Sequence, residues 1–515
     1  MSGNSLLKLP LVLFQRIQKL LHNEDHASFL ALRATCQTCR TRSEAIVFRH
    51  LKLQGYTANE TERRLVDRLL DTNDQLAAYI RILEILPTFD ADLERFSNIL
   101  EQLETPLEVI WNTHLDMPAS LLSALHARPE VQLYVINTAR QDRPLQHALL
   151  SSPSLRGLDF TIYGDLFLEA QPSEFYVFKQ LLMRKQSLKS LTLHISSYAT
   201  EKLLPPPDAK AGELNLQFEA GDKFPALEKL VLECYNRYYL SAAHCDMWTK
   251  CMDWGCLRAL DVGHATPQYF IRAITGHVPQ LEALRFGFWP NPYGPKATWN
   301  SPPDLEVVKT FVDSINALQS VIFFSWKDAE CAHIRPQLLA KHGQSLKVLK
   351  HELDFRDAWK LEHFEELCDK ARVLEELEVT IAMERVSEEP NPISRWPARV
   401  QRVVSSISSL RRLTLRIHLQ YDSQDFTPNL PGRCIINDSF ARRTVVSLFS
   451  DFAAGVIETV RVLFWAMSPG QVLWIYTAQS KWDIQKQQYE VVVDRSVEGE
   501  TLDRQGRSAP FDPFG

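Results

Sequence analysis

A six-residue phrase recurs along most of this chain: an apolar residue, two variable residues, an apolar residue, one variable residue and a further apolar residue. It reads Leu-Arg-Gly-Leu-Asp-Phe from Leu155, Leu-Lys-Ser-Leu-Thr-Leu from Leu188, Leu-Glu-Lys-Leu-Val-Leu from Leu227, Leu-Arg-Ala-Leu-Asp-Val from Leu257 and Leu-Glu-Ala-Leu-Arg-Phe from Leu281. Further copies begin at Leu318, Leu374 and Leu410, and weaker ones at Ile80, Leu107 and Val131. A copy from Leu346 ends on His351, where the pattern asks for an apolar residue. Successive starts lie 24 to 39 residues apart. Between them run helix-like stretches, at 174–186, 268–276, 305–317, 361–371 and 398–407. A short strand alternating with a helix at this period is the pattern of a stacked solenoid. Each unit has too small an apolar face to fold alone, so neighbours share one continuous core.

The expected class is therefore α/β, with a curved, leucine-rich-repeat-like solenoid over 107–430 and a helical linker and first repeat over 54–106. The pattern breaks after 430. A helix is expected over 440–452 and three strands over 460–465, 472–478 and 489–494, with Ser468-Pro469-Gly470 as a turn. A solenoid needs its last apolar edge covered, so residues 431–497 read as a C-terminal β-hairpin cap. The tail, 498–515, is polar and is expected to be disordered.

Charge and cysteine usage narrow the setting. The 515 residues hold 57 Lys and Arg against 63 Asp and Glu, a net charge of −6. Phosphate binding wants a basic surface, so nucleic acid is not the expected partner. Residues 1–53 differ, with eight Lys and Arg against three acids. Nine cysteines at irregular spacing suit reduced thiols and a cytoplasmic or nuclear setting rather than a disulfide framework. The N-terminal stretch is cut by Lys8, Pro10, Gln15 and Arg16, unlike a secretory signal. The run 460–478 is interrupted by Arg461, Pro469, Gly470 and Gln471, so no membrane span is expected.

The first 53 residues read as an all-α module. Leu9, Leu13, Ile17, Leu20 and Leu21 recur at helical spacing around Pro10. A polar break at 23–26 precedes a second helix marked by Phe29, Leu30, Leu32 and Cys36, and Cys36 and Cys39 read as lying within one helix. The order Leu9-Pro10, Leu13, Ile17, Leu30-Ala31-Leu32-Arg33, Cys36, Arg40 and Phe48-Arg49-His50-Leu51 resembles the F-box. That is the helical module by which substrate receptors dock onto the Skp-type adaptor of SCF (Skp–cullin–F-box) ubiquitin ligases. The resemblance covers about a tenth of the chain. Leu11-Val12 replace the Glu often found after Leu-Pro, and Cys39 stands where an aromatic is common. The stretch from Arg64 through Leu83 resembles the linker and first repeat of F-box proteins common in filamentous fungi, which continue into degenerate leucine-rich-like repeats. The resemblance implies Leu9, Pro10, Leu13, Ile17, Leu32, Cys36 and Phe48 as adaptor-binding residues. An uncovered apolar face on so small a module also asks for a partner.

In such a solenoid the residues between the apolar strand positions line the concave face. The expected target-protein contacts there are Asp159, His194, Glu233, Asp261, Arg285, Trp289, Trp326, Lys350 and Arg416, since Arg and aromatic residues are common anchors of protein partners. Thr192, Glu378 and Thr414 share this face. Cys36 and Cys39 lack a second pair at zinc-ribbon distance, and the spacing of His244, Cys245, Cys251 and Cys256 matches no usual zinc module. No phosphate-binding glycine loop, Gly-x-Ser-x-Gly elbow or His-Glu-x-x-His helix is present. The expected function is that of a non-catalytic substrate receptor of an SCF-type ligase, without cofactor or metal, contacting the Skp-type adaptor, the cullin and an unidentified protein substrate. The alternatives are an interaction scaffold that recruits no ligase, and a metal-dependent enzyme built on His244 and the nearby cysteines.

Overall fold

The computed structural model describes residues 10–497 apart from 25, 55–58, 87–92, 104–106, 138–144, 165–173, 184–186, 198–211, 214–215, 217, 235–237, 240–241, 264–267, 288–304, 326–327, 354–358, 383–397, 420–441, 443–444, 447–448, 450–456, 467–473 and 484–487. The chain forms two compact units.

The first unit opens with three helices, α1 (Leu11–Glu24), α2 (His26–Thr35) and α3 (Gln37–Val47). Strand β1 (His50–Leu53) and helices α4 (Glu60–Leu70) and α5 (Leu76–Tyr79) follow. Next come β2 (Ile82–Ile85), α6 (Leu93–Gln102), β3 (Glu108–Asn112), α7 (Ala119–His126), β4 (Gln132–Asn137) and α8 (His147–Leu150). β5 (Leu155–Gly164), α9 (Glu174–Met183) and β6 (Ser190–Ser197) complete the alternation. The strands pair in chain order, β1 to β6, all parallel.

The second unit repeats the plan. Its main strands are β8 (Lys229–Cys234), β10 (Ala259–Asp261), β11 (Ala283–Gly287), β12 (Ser320–Ser325), β13 (Val348–Leu353), β14 (Glu376–Ala382), β15 (Arg412–Leu419) and β16 (Thr459–Ala466). All eight are parallel and lie in chain order. Helices α10 (Ala242–Cys251), α11 (Gln268–Ile274), α12 (Leu305–Ser314), α13 (Asp328–His342), α14 (Leu361–Lys370) and α15 (Ala398–Ser405) form the crossovers. β17 (Trp474–Asp483) and β18 (Gln488–Val497) then add antiparallel to β16, so the expected three terminal strands are present. The expected turn at 468–470 and most of the expected helix at 440–452 lie outside the described residues. Two short strands, β7 (Gly212–Glu213) and β9 (Tyr238–Tyr239), pair with each other.

Each strand lies beside its predecessor, and parallel crossovers are right-handed, so within each unit the helices collect on one face of the sheet. Side chains alternate accordingly. On β14, Leu377, Val379 and Ile381 are buried in the core, while Glu376, Glu378 and Thr380 stand on the face that carries no crossover helices.

Every copy of the sequence phrase marks a strand of this series. Its first residue sits at or just before the strand, and Leu188, Leu227, Leu257, Leu281, Leu318, Leu346, Leu374 and Leu410 are all fully buried there. Burial of one such side chain contributes about 1.5–3 kcal/mol. The next residue carries a backbone spine. The carbonyls of Glu228, Arg258, Glu282, Gln319, Lys347, Glu375 and Arg411 each accept two consecutive N–H groups from the following repeat, at 2.8–3.1 Å. Arg49 does the same for Arg81 and Ile82 in the first unit. The return from helix to strand spans a narrower range than the outward connection, four to eight residues from α6 onward. Five residues separate Gln102 from Glu108, His126 from Gln132, Ser314 from Ser320, His342 from Val348 and Lys370 from Glu376. The outward connection is not constant: two residues separate Ser325 from Asp328, and seventeen separate Gly287 from Leu305.

His351 is the instructive departure from the phrase. It is fully buried in the apolar position, with its ring stacked on Phe323 at 3.8 Å. Trp359 Nε1–H donates to its Nδ1 at 2.7 Å. Burial holds its pKa well below the ordinary histidine value, so the ring is neutral and substitutes for leucine.

Candidate functional site

Two surfaces hold the residues singled out in the sequence. The first is on α1 and α2. The buried side of this three-helix region is built from Phe14, Phe29 and Cys39, with Arg42 over the Phe14 ring at 5.3 Å. Gln18 is also buried, donating through Nε2 to Ser43 Oγ at 2.6 Å and to the Cys39 carbonyl at 3.4 Å. These contacts fix which side of α1 faces inward, and leave Leu13 and Leu20 outside. Leu13 is 48% exposed, Leu20 54%, Val12 74% and, on α2, Leu30 46%. Ile17 is half-buried between Leu13 and Leu20, and Pro10 is exposed at the start of α1. Leu13, Ile17 and Leu20 lie on one side at helical spacing. Four of the seven large apolar residues exposed among the described residues therefore fall in α1 and α2.

Leu32, Cys36 and Phe48 are half-buried at the edges of this region, and Arg68 lies over the Phe48 ring at 5.7 Å. Leu9 lies outside the described residues. Cys36 and Cys39 do not share one helix as expected: Cys36 is extended (φ −162°, ψ 164°) in the break between α2 and α3, and Cys39 lies in the first turn of α3. The spacing of Phe14 and Phe29 was the available signal for the true inward side, but the leucine pattern around them is louder and points elsewhere.

The second surface is the helix-free face of the sheets. The described side chains expected there form cross-strand pairs rather than isolated charges. His194 Nε2 meets Asp159 Oδ1 at 2.7 Å. Arg285 Nη1 meets Asp261 Oδ2 at 3.1 Å, and Asp261, fully buried, also accepts from the Gly263 N–H at 2.8 Å. Lys350 Nζ lies 2.6 Å from Glu376 Oε1, and Arg412 Nη2 lies 2.9 Å from the other oxygen of Glu376. Arg416 reaches Glu378 Oε1 through Nη2 at 2.6 Å and Nε at 2.7 Å. Thr192 and Thr414 stand beside Asp159 and Glu378 in the register. Residues one strand apart on one face are about 5 Å apart, which is why the spacing of the phrase delivers these pairs.

A further cluster lies in repeats whose phrase is weak. Glu84, nearly buried on β2, receives Lys52 at 2.8 Å, His50 at 3.2 Å and the Asn112 amide at 2.9 Å. Burial pushes its carboxyl up, but the hydrogen bonds from Lys52 and Asn112 outweigh this and hold it below the ordinary carboxylate value. Glu233 lies on β8. Its side chain, with Trp289 and Trp326, lies outside the described residues.

A fully buried group such as Asp261 has no surface to offer a docking protein. Lys350 and Arg416, with 30% and 19% of their side chains exposed, remain reachable. On β10 to β12, to one side of both, Ala259 and Ala283 are buried with Ile322 packed against them, giving a small apolar floor beside the charged pairs. Among the described residues, no group of three or more His, Cys, Asp and Glu side chains is placed to hold a metal ion; His244, Cys245, Cys251 and Cys256 do not converge. No described helix is long and apolar enough to cross a membrane. Compared with known proteins, the chain matches no family model and no curated protein.

Proposed function

We propose that the chain is a substrate-recognition subunit of an SCF-type ubiquitin ligase. Helices α1–α3 act as an F-box docking onto the Skp-type adaptor, and the helix-free face of the sheet holds a target protein. The observation that carries this reading is the exposed apolar stripe of Val12, Leu13, Leu20 and Leu30, joined to the Leu-Pro, Leu-Arg and Phe-Arg elements of the sequence. Apolar side chains grouped on one small helical region favour a protein partner that removes them from water. The chain's part is proximity and orientation: it brings a target's lysines to a charged enzyme held elsewhere in the complex.

The test is co-purification of the full-length chain with the Skp-type adaptor and cullin, beside Leu13→Asp. A deletion of 1–53 is a poorer control, because it removes β1, whose Leu51 and Leu53 are buried against the sheet. The wild-type chain is expected to retain both proteins, and Leu13→Asp to lose both with unchanged thermal unfolding. If the wild-type chain retains no adaptor under conditions where an established F-box protein does, the ligase reading fails and a scaffold role replaces it.

A further inference from the structure

The two thiols at the start of α3 are arranged for chemistry with each other. Cys36 caps the helix: its Sγ accepts from the Cys39 backbone N–H at 3.4 Å. Cys39 lies one turn on, three residues into the same helix start. Cys36 is half-buried and open to solvent, whereas Cys39 is 3% exposed. Gln18 and Ser43 both donate to the Cys39 carbonyl, at 3.4 and 2.6 Å, so the first turn of α3 is held.

We propose that Cys36 and Cys39 are a redox-active dithiol that low-molecular-weight disulfides oxidise to an intramolecular disulfide. The proposal does not depend on the ligase reading. Cys36 thiolate attacks one sulfur of R–S–S–R, forming Cys36–S–S–R and expelling R–S⁻, which takes up the proton that Cys36 gave to solvent. Cys39 then loses its proton and attacks Cys36 Sγ, forming the Cys36–Cys39 bond and expelling the second R–S⁻. The protein dithiol gives up two electrons, and one disulfide becomes two thiols. The order follows from the surroundings. The Cys39 N–H and then the Cys39 thiol stabilise the Cys36 thiolate and lower its pKa, while burial raises that of Cys39. Cys36 is therefore the attacking and Cys39 the resolving sulfur, the accessible and low-pKa member beside a buried partner. Cys368 is the contrast: burial pushes its thiol up to about 11 and its Sγ donates to the Val403 carbonyl at 3.1 Å.

The test incubates the full-length chain in buffers of graded reduced and oxidised glutathione, followed by acid quench, alkylation and peptide mass mapping. The expected product is a Cys36–Cys39 disulfide appearing at a lower oxidised fraction than any adduct on Cys245, Cys251 or Cys368, and reversed by dithiothreitol. Cys39→Ala is expected to trap glutathione on Cys36. Cys36→Ser keeps a good helix cap and is expected to leave Cys39 reduced. Circular dichroism of each variant checks the fold. Cys36 and Cys39 both remaining free thiols in the wild-type chain across the whole series overturns the proposal, as does glutathione on Cys39 in Cys36→Ser at the rate seen on Cys36 in Cys39→Ala.

Discussion

Single residues in this protein are constrained in ways that differ in kind, and the differences are measurable. A Cβ at Gly343 would lie 2.5 Å from two backbone carbonyls, those of Leu339 and Lys370, and neither can step aside. A Cβ at Gly157 would lie 2.3 Å from Tyr134 Cδ1, but that neighbour is a half-exposed side chain rather than backbone. Gly343→Ala is expected to cost about 3 kcal/mol and Gly157→Ala about 1 kcal/mol, the range of overpacked sites; urea titration reads both. Only the Gly157 loss is expected to be recovered in a Tyr134→Ala background. The Asp261–Arg285 pair gives a third case. Arg285→Ala leaves a fully buried carboxylate without that guanidinium and is expected to cost about 3–5 kcal/mol, while Arg412→Ala, which removes a half-exposed arginine from a Glu376 still paired with Lys350, is expected to cost under about 1 kcal/mol. Equal losses for the two arginines would show that burial does not set their worth. Histidines supply a pH signature. Burial lowers the pKa of His244 to about 4 and lowers those of His342 and His351 as well. The unfolded chain takes up these protons near pH 6.5 and the folded chain resists, so stability is present above pH 6.5 and falls as pH drops toward 4. His244 alone accounts for about 3 kcal/mol of that fall. His244→Leu is expected to flatten the slope of stability against pH in this window; an unchanged slope would place the protons elsewhere. His351 could be seen in the sequence as an exception to the phrase, but not its acceptance of the Trp359 N–H, which depends on a residue eight positions away, beyond the end of the strand.

At the scale of elements, strands were more legible than helix orientation. The phrase fixes a strand because its second and third apolar residues, two positions apart, share one face of the backbone while the variable residue between them takes the other, and its first fills the turn beneath. Nothing in α1 distinguishes its sides so plainly. Leucines fall on most of its circumference, and the inward side is chosen by Phe14 and Gln18, whose partners Arg42, Cys39 and Ser43 belong to α3. Leu13→Asp is accordingly expected to leave the unfolding midpoint within about 0.5 kcal/mol of wild type, as for other surface changes. Phe14→Ala is expected to cost about 3–5 kcal/mol as a buried aromatic truncation. The break at Cys36 was missed because apolar periodicity runs through it; the extended backbone there is stabilised by the cap to the Cys39 N–H, an interaction of type and place rather than of hydrophobic rhythm.

Across the whole molecule, the repeating plan makes stability a matter of neighbours. Within each unit, a strand is held by the one before it and the one after, and the doubled N–H bonds to carbonyls such as Glu282 and Lys347 tie each repeat to the next. Ending the chain at 458 removes β16 to β18 and bares one edge of β15. Such a truncation is expected to self-associate, seen as an apparent mass that rises with concentration in light scattering, because an unpaired strand edge templates further pairing. A monodisperse truncation would mean that β15 needs no cover. What composition and spacing left illegible at this scale was the pairing of charges on the helix-free face, since partners such as Glu376 and Arg412 are brought together only by register. The short return and the variable outward connection have one more consequence. Within each unit, a chain whose returns keep to four to eight residues while its outward connections run from two to seventeen can lengthen, shorten or rewrite those outward loops without displacing a strand. The returning side of each unit is thus an assembly gauge, and its outward side is room for invention, where new binding preferences can be written without the fold being renegotiated.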